Sequence, residues 1–213
     1  MSPDGRAVEP SPRAGRSKGR GYATGRATKA QILESAHRVF AETGYASGSL
    51  REIARRCGLS HATLLHHYPT KADLLIAVLA RRDESMAQAL AWKGDLDDLL
   101  GDMIEGARRN DSEPGLLRLF TLVAAEAADP EHPAHDYFTL RTATFVDDVG
   151  AMIARSQDAG TLPDTWAPRA LALNILALWD GLQIAVPLAP PPVTVAEQLR
   201  LSFEVLLGRP LRG

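Results

Sequence analysis

The sequence predicts an all-α protein built from a small N-terminal helical domain and a larger C-terminal helical domain. Apolar residues recur at helical spacing through most of the chain, and no long stretch shows the strict alternation of a half-buried strand. Segments that contain Gly and Pro divide the helical stretches from one another. The chain has 213 residues, of which 45% are apolar, and this is enough to bury such a core.

Charge is distributed unevenly along the chain. Residues 1–75 carry a net charge of +6, whereas the remainder carries −8. A basic N-terminal third on an acidic body is expected where only that third meets a polyanion such as DNA, although a solvated basic tail would give the same count.

The chain has the features of a cytoplasmic protein. Its single cysteine, Cys57, cannot form an internal disulfide, which favours a reducing compartment. The N-terminus has no apolar segment of signal-peptide length. The most apolar stretch, residues 171–189, carries Asn174, Asp180 and Gln183, which oppose insertion into a membrane. We expect no membrane partner.

The first region, residues 1–27, is rich in Gly, Pro, Ser and Arg, with six basic and two acidic residues. It has little apolar surface to offset the entropy of ordering, which predicts a disordered basic arm. A domain over residues 28–75 and a larger one over residues 76–213 follow.

The domain over residues 28–75 is predicted to begin with two helices. The first starts at Thr28 and ends near Gly44, which occupies a C-cap position. Ser49 and Glu52 have the spacing of a capping box, which predicts the start of a short second helix.

A third helix follows directly after a glycine turn. Gly58 closes the second helix, Ser60 is placed as the N-cap of the third, and Pro69 prevents continuation beyond about Tyr68. Two short helices joined in this way form a helix-turn-helix, whose second helix lies in the DNA major groove.

The start of the third helix carries groups suited to DNA. Free backbone N–H groups and the positive end of the helix dipole attract phosphate. The hydroxyls of Ser60 and Thr63 and the imidazoles of His61 and His66 can donate to phosphates or base edges. These residues alone leave DNA binding open, because the same geometry occurs in helical bundles that do not bind DNA.

Residues 28–79 resemble the N-terminal domain of the tetracycline-repressor (TetR) family of bacterial transcriptional regulators. The resemblance rests on the motifs FAETGY, REIARRCGLS and ATLLHHYPTKADLL and on the spacing between them. It implies a ligand-responsive regulator, a repressor that binds a palindromic operator in double-stranded DNA as a homodimer. An effector in the C-terminal domain is implied to move the fourth helix and release the operator.

The resemblance also implies which residues contact DNA. The second helix begins with a phosphate-binding hydroxyl and a base or backbone contact, the third reads bases, and the fourth begins at a phosphate. Leu65 departs from the pattern, because many relatives have a tyrosine there, and it offers only an apolar contact. For Tyr68, packing in the core competes with a DNA contact. The predicted DNA contacts are Ser49, Arg51, Ser60, His61, Ala62, Thr63, His66, His67, Tyr68 and Lys71.

The remainder of the chain is predicted to form six further helices. Their expected spans are about 71–92, 95–109, 114–128, 133–159, 167–187 and 193–207. The resemblance implies that the last two form the dimer interface. A dimer is also expected because the apolar helix over 167–187 needs cover and a twofold contact is the commonest way to supply it.

The effector pocket implied by the resemblance lies in the core of this C-terminal domain, and a largely apolar ligand suits such a site. Asn174 shares a helical face with Leu171 and Ile175, so its amide requires either a protein partner or a ligand. Apolar stripes of this kind also form where there is only core packing. The predicted ligand contacts are Met103, Phe120, Phe145, Asn174 and Trp179.

Other chemistry finds less support in the sequence. His132, His135 and Asp136 are potential metal ligands, but such a short cluster is typical of a solvated helix start, so we expect no metal or other cofactor. No nucleotide-binding, zinc-protease or acyl-transfer motif is present, and we expect no enzyme. The alternative is a helical small-molecule-binding protein that does not bind an operator.

Overall fold

The computed structural model describes residues 17–89, 94–110, 114–189 and 192–212. All regular structure in these ranges is helical, which confirms the predicted all-α class. The helices are α1 (Ser17–Ser47), α2 (Leu50–Arg56), α3 (His61–His67), α4 (Lys71–Ala89), α5 (Leu96–Asn110), α6 (Pro114–Glu126), α7 (His135–Asp158), α8 (Pro168–Ala185) and α9 (Val195–Leu207), with a short 3-10 turn at Val186–Leu188.

Helix α1 begins earlier than the sequence suggests. Residues 17–27, expected to belong to a disordered arm, continue the helix, whereas residues 1–16 lie outside the described residues. Once the turns anchored by Ile32 and Ala36 have formed, each further residue adds a backbone hydrogen bond at little cost, which accounts for the extension. The helical path breaks at Gly44, as predicted, where φ is 76°.

Buried side chains form two cores, and their division differs from the predicted domain boundary at residue 75. Helices α5, α8 and α9 and the C-terminal half of α7 enclose the second core. The first core joins α1–α4 to α6, so the helix-turn-helix unit shares its interior with a helix from the C-terminal part of the chain. The buried residues at the centre of this first core include Ile32, Phe40, Ile53, Leu64, Leu75, Phe120 and Val123.

The apolar segment Pro168–Leu188 has the length and composition of a membrane span. Its inward face packs on α7 and α9, and Leu171, Ile175 and Trp179 are buried there. Core helices of globular domains have the same length and composition, so the segment by itself does not indicate a membrane protein.

An ion-pair cluster attaches the C-terminal end of the chain to the start of α5. Arg209 donates to both carboxylate oxygens of Asp97 at 3.1 and 2.9 Å, and Arg212 Nε donates to Oδ2 at 2.7 Å. The Asp97 side chain is only 3% exposed. Burial alone would raise the pKa of Asp97, but the hydrogen bonds from the two guanidinium groups outweigh burial and hold that pKa below its usual value.

Candidate nucleic-acid interface and regulatory contacts

Helices α2 and α3 form the predicted helix-turn-helix. The turn between them passes through Gly58, whose φ of 65° lies in the left-handed region. Ser60 is the N-cap of α3, as predicted, because its Oγ accepts from the backbone N–H of Thr63 at 3.0 Å. The backbone N–H of Tyr68 donates to the carbonyl of Leu64, and Pro69 then ends the helix.

The start of α2 differs from the prediction. Ser49 occupies the N-cap position, but its side chain makes no capping hydrogen bond, so the expected capping box is wrong. Glu52 instead accepts from Arg55 at 2.7 Å and from Arg56 at 2.8 Å. These charge-assisted bonds are stronger than a bond to a neutral backbone N–H, and they hold the pKa of Glu52 at about 2.

Arg51 differs from the other arginines of α2 in its ion pairing. Arg55 is paired with Glu52, and Arg56 bridges Glu52 and Glu42. In the described part of the chain, no carboxylate lies within ion-pair distance of Arg51, which is exposed. Its guanidinium is therefore ready to bind an external anion without breaking an internal pair.

The burial of Leu64 on the inner side of α3 directs the opposite side of the helix outward. Among the predicted DNA contacts, His67 and Lys71 are half-buried, and Tyr68 is only 9% exposed and belongs to the first core. The core position of Tyr68 favours the packing alternative for that residue. The exposed predicted contacts are Ser49, Arg51, Ser60, His61, Ala62, Thr63 and His66.

Lys71 makes internal contacts at the start of α4. Its Nζ donates to the carbonyl of Ala46 at 2.8 Å and lies 4.7 Å from the centroid of the Tyr45 ring. Partial burial lowers the pKa of Lys71. Lys71 thus joins the start of α4 to the C-terminal end of α1. An ammonium group has three donors, so this tie is compatible with an additional phosphate contact.

The residues predicted to contact an effector are divided between the two cores. Phe120 lies in the first core, whereas Met103 and Trp179 lie in the second and Phe145 packs against it. One of these residues, Trp179, has a buried side-chain donor that is not satisfied in the described structure. The buried indole Nε1 of Trp179 has no hydrogen-bond partner in the described structure, and such a donor is uncommon in protein interiors.

The interpretation of Asn174 as an amide in the core is wrong. The residue is exposed, and its Nδ2 donates to the carbonyl of Ala170 at 2.9 Å. Helix α8 is apolar on both sides, since Leu173 and Ile184 are exposed while the opposite side is buried. Helical periodicity does not distinguish two apolar faces, and the choice of the buried one depends on the neighbouring helices.

A groove of about 490 Å³ opens between α6, α7 and α8, and the sequence did not reveal it. None of the five predicted ligand residues lines it. Its polar groups come from His135, Thr139, Thr142 and Arg169. One lining residue, His135, belongs to the HPAHD segment, which from sequence was considered only for metal binding. The Nδ1 atom of His135 is bonded to the carbonyl of Ala127 at 2.9 Å, so this ring serves the connection between α6 and α7.

A half-buried polar cluster joins α4 to α7. The hydroxyl of Tyr137 donates to Asp83, and Arg141 Nε donates to Asp83 Oδ2 at 3.1 Å. The guanidinium of Arg141 also lies 5.0 Å from the centroid of the Phe120 ring in α6. One cluster therefore contacts three helices, and α4 leads from it directly to the helix-turn-helix.

Comparison with known proteins places this geometry in a family. The sequence model described as "Bacterial regulatory proteins, tetR family" matches residues 32–78. The HTH-type transcriptional repressor AcnR of Corynebacterium diphtheriae is 38% identical over 82 residues, which cover 38% of this chain and 42% of that protein. AcnR of Corynebacterium efficiens is 29% identical over 155 residues, which cover 72% of this chain and 79% of that protein. The first match thus spans less than half of the relative.

The likeness of the fold extends beyond the helix-turn-helix. The structure of SmeT, the repressor of the Stenotrophomonas maltophilia multidrug efflux pump SmeDEF, in complex with triclosan matches this chain with a TM-score of 0.73 at 20% identity. The match covers 85% of this chain and 90% of SmeT, so the C-terminal helices share the arrangement as well. Residues 32–78 thus carry the DNA-binding domain of the tetR family of bacterial regulatory proteins, and the chain as a whole shares the fold of such regulators.

Proposed function

We propose that this protein is a cytoplasmic, ligand-responsive transcriptional repressor that binds a palindromic operator and has no enzymatic activity. The observation that carries the proposal is the recognition helix α3. It is capped at Ser60, held by the buried Leu64, and exposes His61 and Thr63 on its outer side. The names of the AcnR relatives, both transcriptional repressors, support the same function.

The exposed groups have separate roles in this proposal. Arg51 and the hydroxyl of Ser49 bind phosphate at the start of α2, which fixes the position of the domain on the duplex. His61 and Thr63 open α3 and face the base edges, where donors and acceptors distinguish one base pair from another. His66 and His67 follow one turn later and lie closer to the backbone of the DNA.

A homodimer supplies the second recognition helix. The outer sides of α8 and α9 and the 3-10 turn after α8 carry large exposed apolar residues: Ile184 of α8 is 52% exposed, Leu188 of the turn 82% and Val205 of α9 74%. Apolar patches of this kind mark contact surfaces, and a twofold contact covers the same patch on both copies. Two α3 helices then reach half-sites about 34 Å apart, one turn of the duplex.

An effector acts by preferring the conformation that does not bind DNA, because equal affinity for both conformations would shift nothing. The SmeT structure contains triclosan, so a protein with this fold accommodates a small molecule. Helix α6, which belongs to the first core, provides contact with the helix-turn-helix.

The proposal is tested by fluorescence anisotropy with duplex fragments that flank the gene of this protein, at about 150 mM salt. At least one fragment should bind more tightly than a scrambled duplex of equal length. Arg51→Ala should weaken binding, whereas Arg155→Ala, which removes an exposed arginine from α7, should not. Equal binding of flanking and scrambled DNA would favour the alternative of a small-molecule-binding protein without an operator.

A further inference from the structure

The groove between α6, α7 and α8 has an apolar floor. Small side chains, among them Ala124, Ala127 and Ala143, leave the space open, and Phe138 and Val146 form part of its wall. Its volume of about 490 Å³ lies within the range of small-molecule sites. Apolar surface that stays in water is a reason for an apolar molecule to bind there.

Among the polar side chains that line the groove, Arg169 carries the permanent charge. The carbonyl of Ala127 can only accept, so Nδ1 of His135 carries the proton, and the Nε2 of the same ring lies 3.4 Å from Oγ1 of Thr139. Arg169 lines the groove from the start of α8, and its exposed guanidinium is paired with Asp147. Asp147 itself does not line the groove.

We propose that this groove binds an apolar molecule carrying one carboxylate, with the carboxylate on Arg169, and that this molecule is the effector of the repressor. The inference rests on the proposed function. A ligand carboxylate takes the place of Asp147 on the guanidinium and can accept two parallel hydrogen bonds. An exposed ion pair contributes little to stability, so this exchange costs little. The hydrocarbon part displaces water from the alanines and from Phe138.

The structure connects the groove to α4 by direct contacts. The ring of Phe138 lies 5.1 Å from that of Phe120 and 5.2 Å from that of Tyr137, measured between centroids. Tyr137 and Arg141 both donate to Asp83 of α4. A ligand that shifts Phe138 therefore acts on the side chains that hold α4, and α4 begins four residues after the end of α3.

Isothermal titration of the full chain with octanoate, 1-octanol and octyltrimethylammonium tests the ligand class, since the three probes share an alkyl chain and differ in charge. Octanoate should bind about tenfold more tightly than octanol, which corresponds to one charge-assisted contact. The cation should bind more weakly than either. Equal affinity for octanoate and octanol would overturn the assignment of a carboxylate.

Four variants test the location. Arg169→Gln should lower the affinity for octanoate about tenfold, whereas Asp147→Asn should raise it about threefold because it removes the competing carboxylate. Ala143→Phe should fill the groove and abolish binding. Ala151→Phe is the matched control, because Ala151 is also an exposed alanine of α7 but does not line the groove, and its affinity should stay within about twofold of wild type.

DNA binding separates a failure of this inference from a failure of the proposed function. Saturating octanoate should weaken operator binding by wild type and by Ala151→Phe but not by Ala143→Phe. If octanoate binds Ala143→Phe as it binds wild type, the groove assignment is wrong, while operator binding still supports the repressor. If octanoate binds in the groove but leaves operator affinity unchanged, the effector role is wrong. If no fragment binds, the repressor function is wrong and the carboxylate site stands.

Discussion

The ion-pair cluster between the C-terminal end of the chain and α5 should be a major contributor to the stability of the second core. Asp97 is nearly fully buried and accepts three hydrogen bonds from Arg209 and Arg212. Asp97→Asn keeps the size of the side chain and removes its charge. The amide cannot accept from two guanidinium groups at both of its terminal atoms, so at least one of these bonds is lost.

The expected loss of unfolding free energy depends on how exposed the two arginine partners of Asp97 are. Removing one member of a fully buried ion pair costs about 3–5 kcal/mol, because the remaining charge has no partner. Here the side chains of Arg209 and Arg212 are 30% and 67% exposed, so water solvates part of the charge that remains. We therefore expect Asp97→Asn to lower the free energy of unfolding by about 2–3 kcal/mol. Arg212→Gln, on the more exposed partner, should cost less.

Urea unfolding at one fixed protein concentration measures these differences. Asp102→Asn is the control, because Asp102 is exposed on the same helix, and it should change the unfolding free energy by less than about 0.5 kcal/mol. The lowered pKa of Asp97 also predicts a pH dependence. Its contribution is complete above the unfolded-state pKa of about 3.9 and is lost as pH falls through the lower folded-state pKa. If Asp97→Asn lowers the unfolding free energy no more than Asp102→Asn does, the cluster does not stabilise the protein as we expect.

Three further predictions concern DNA binding and assembly. His61→Ala should weaken operator binding by about 1–3 kcal/mol and relax the preference for one base pair in each half-site. Lys71→Ala should instead weaken binding to operator and scrambled DNA equally. Anisotropy titrations at several salt concentrations distinguish the two patterns. Deleting residues 1–27, with six basic residues, should reduce the salt dependence of DNA binding while sedimentation velocity still shows a dimer, and an unchanged salt slope would contradict contact with DNA. Val205→Glu should convert the dimer to monomers in sedimentation velocity, whereas Leu140→Glu, at an exposed leucine of α7, should not.

Helix ends were predictable because they depend on the backbone preferences of a few neighbouring residues. Gly44 and Gly58 adopt positive φ values, which residues with a side chain disfavour, and Pro69 lacks the N–H that a continuing helix needs. Ser60 reaches the N–H of Thr63 within its own turn. Each of these interactions closes within a few positions, so the identity of the residues is sufficient to predict it.

Interactions between distant segments could not be predicted from neighbouring residues in this way. Arg56 of α2 pairs with Glu42 of α1, and only the packing of these two helices brings the two side chains together. Asn174 lies on a helix with two apolar sides, and only packing against α7 and α9 decided which side is buried.

The contacts among α4, α6 and α7 depend on tertiary structure most of all. Nothing in the local sequence indicates that α6 enters the core of the helix-turn-helix unit, or that Asp83 meets Tyr137 and Arg141, because Asp83 is separated from both by more than 50 positions in the chain. The groove has the same origin, since it is the space that three helices leave between small side chains. Helical periodicity determines that a residue faces a neighbouring helix, whereas the identity of that neighbour follows from the packing of the whole chain.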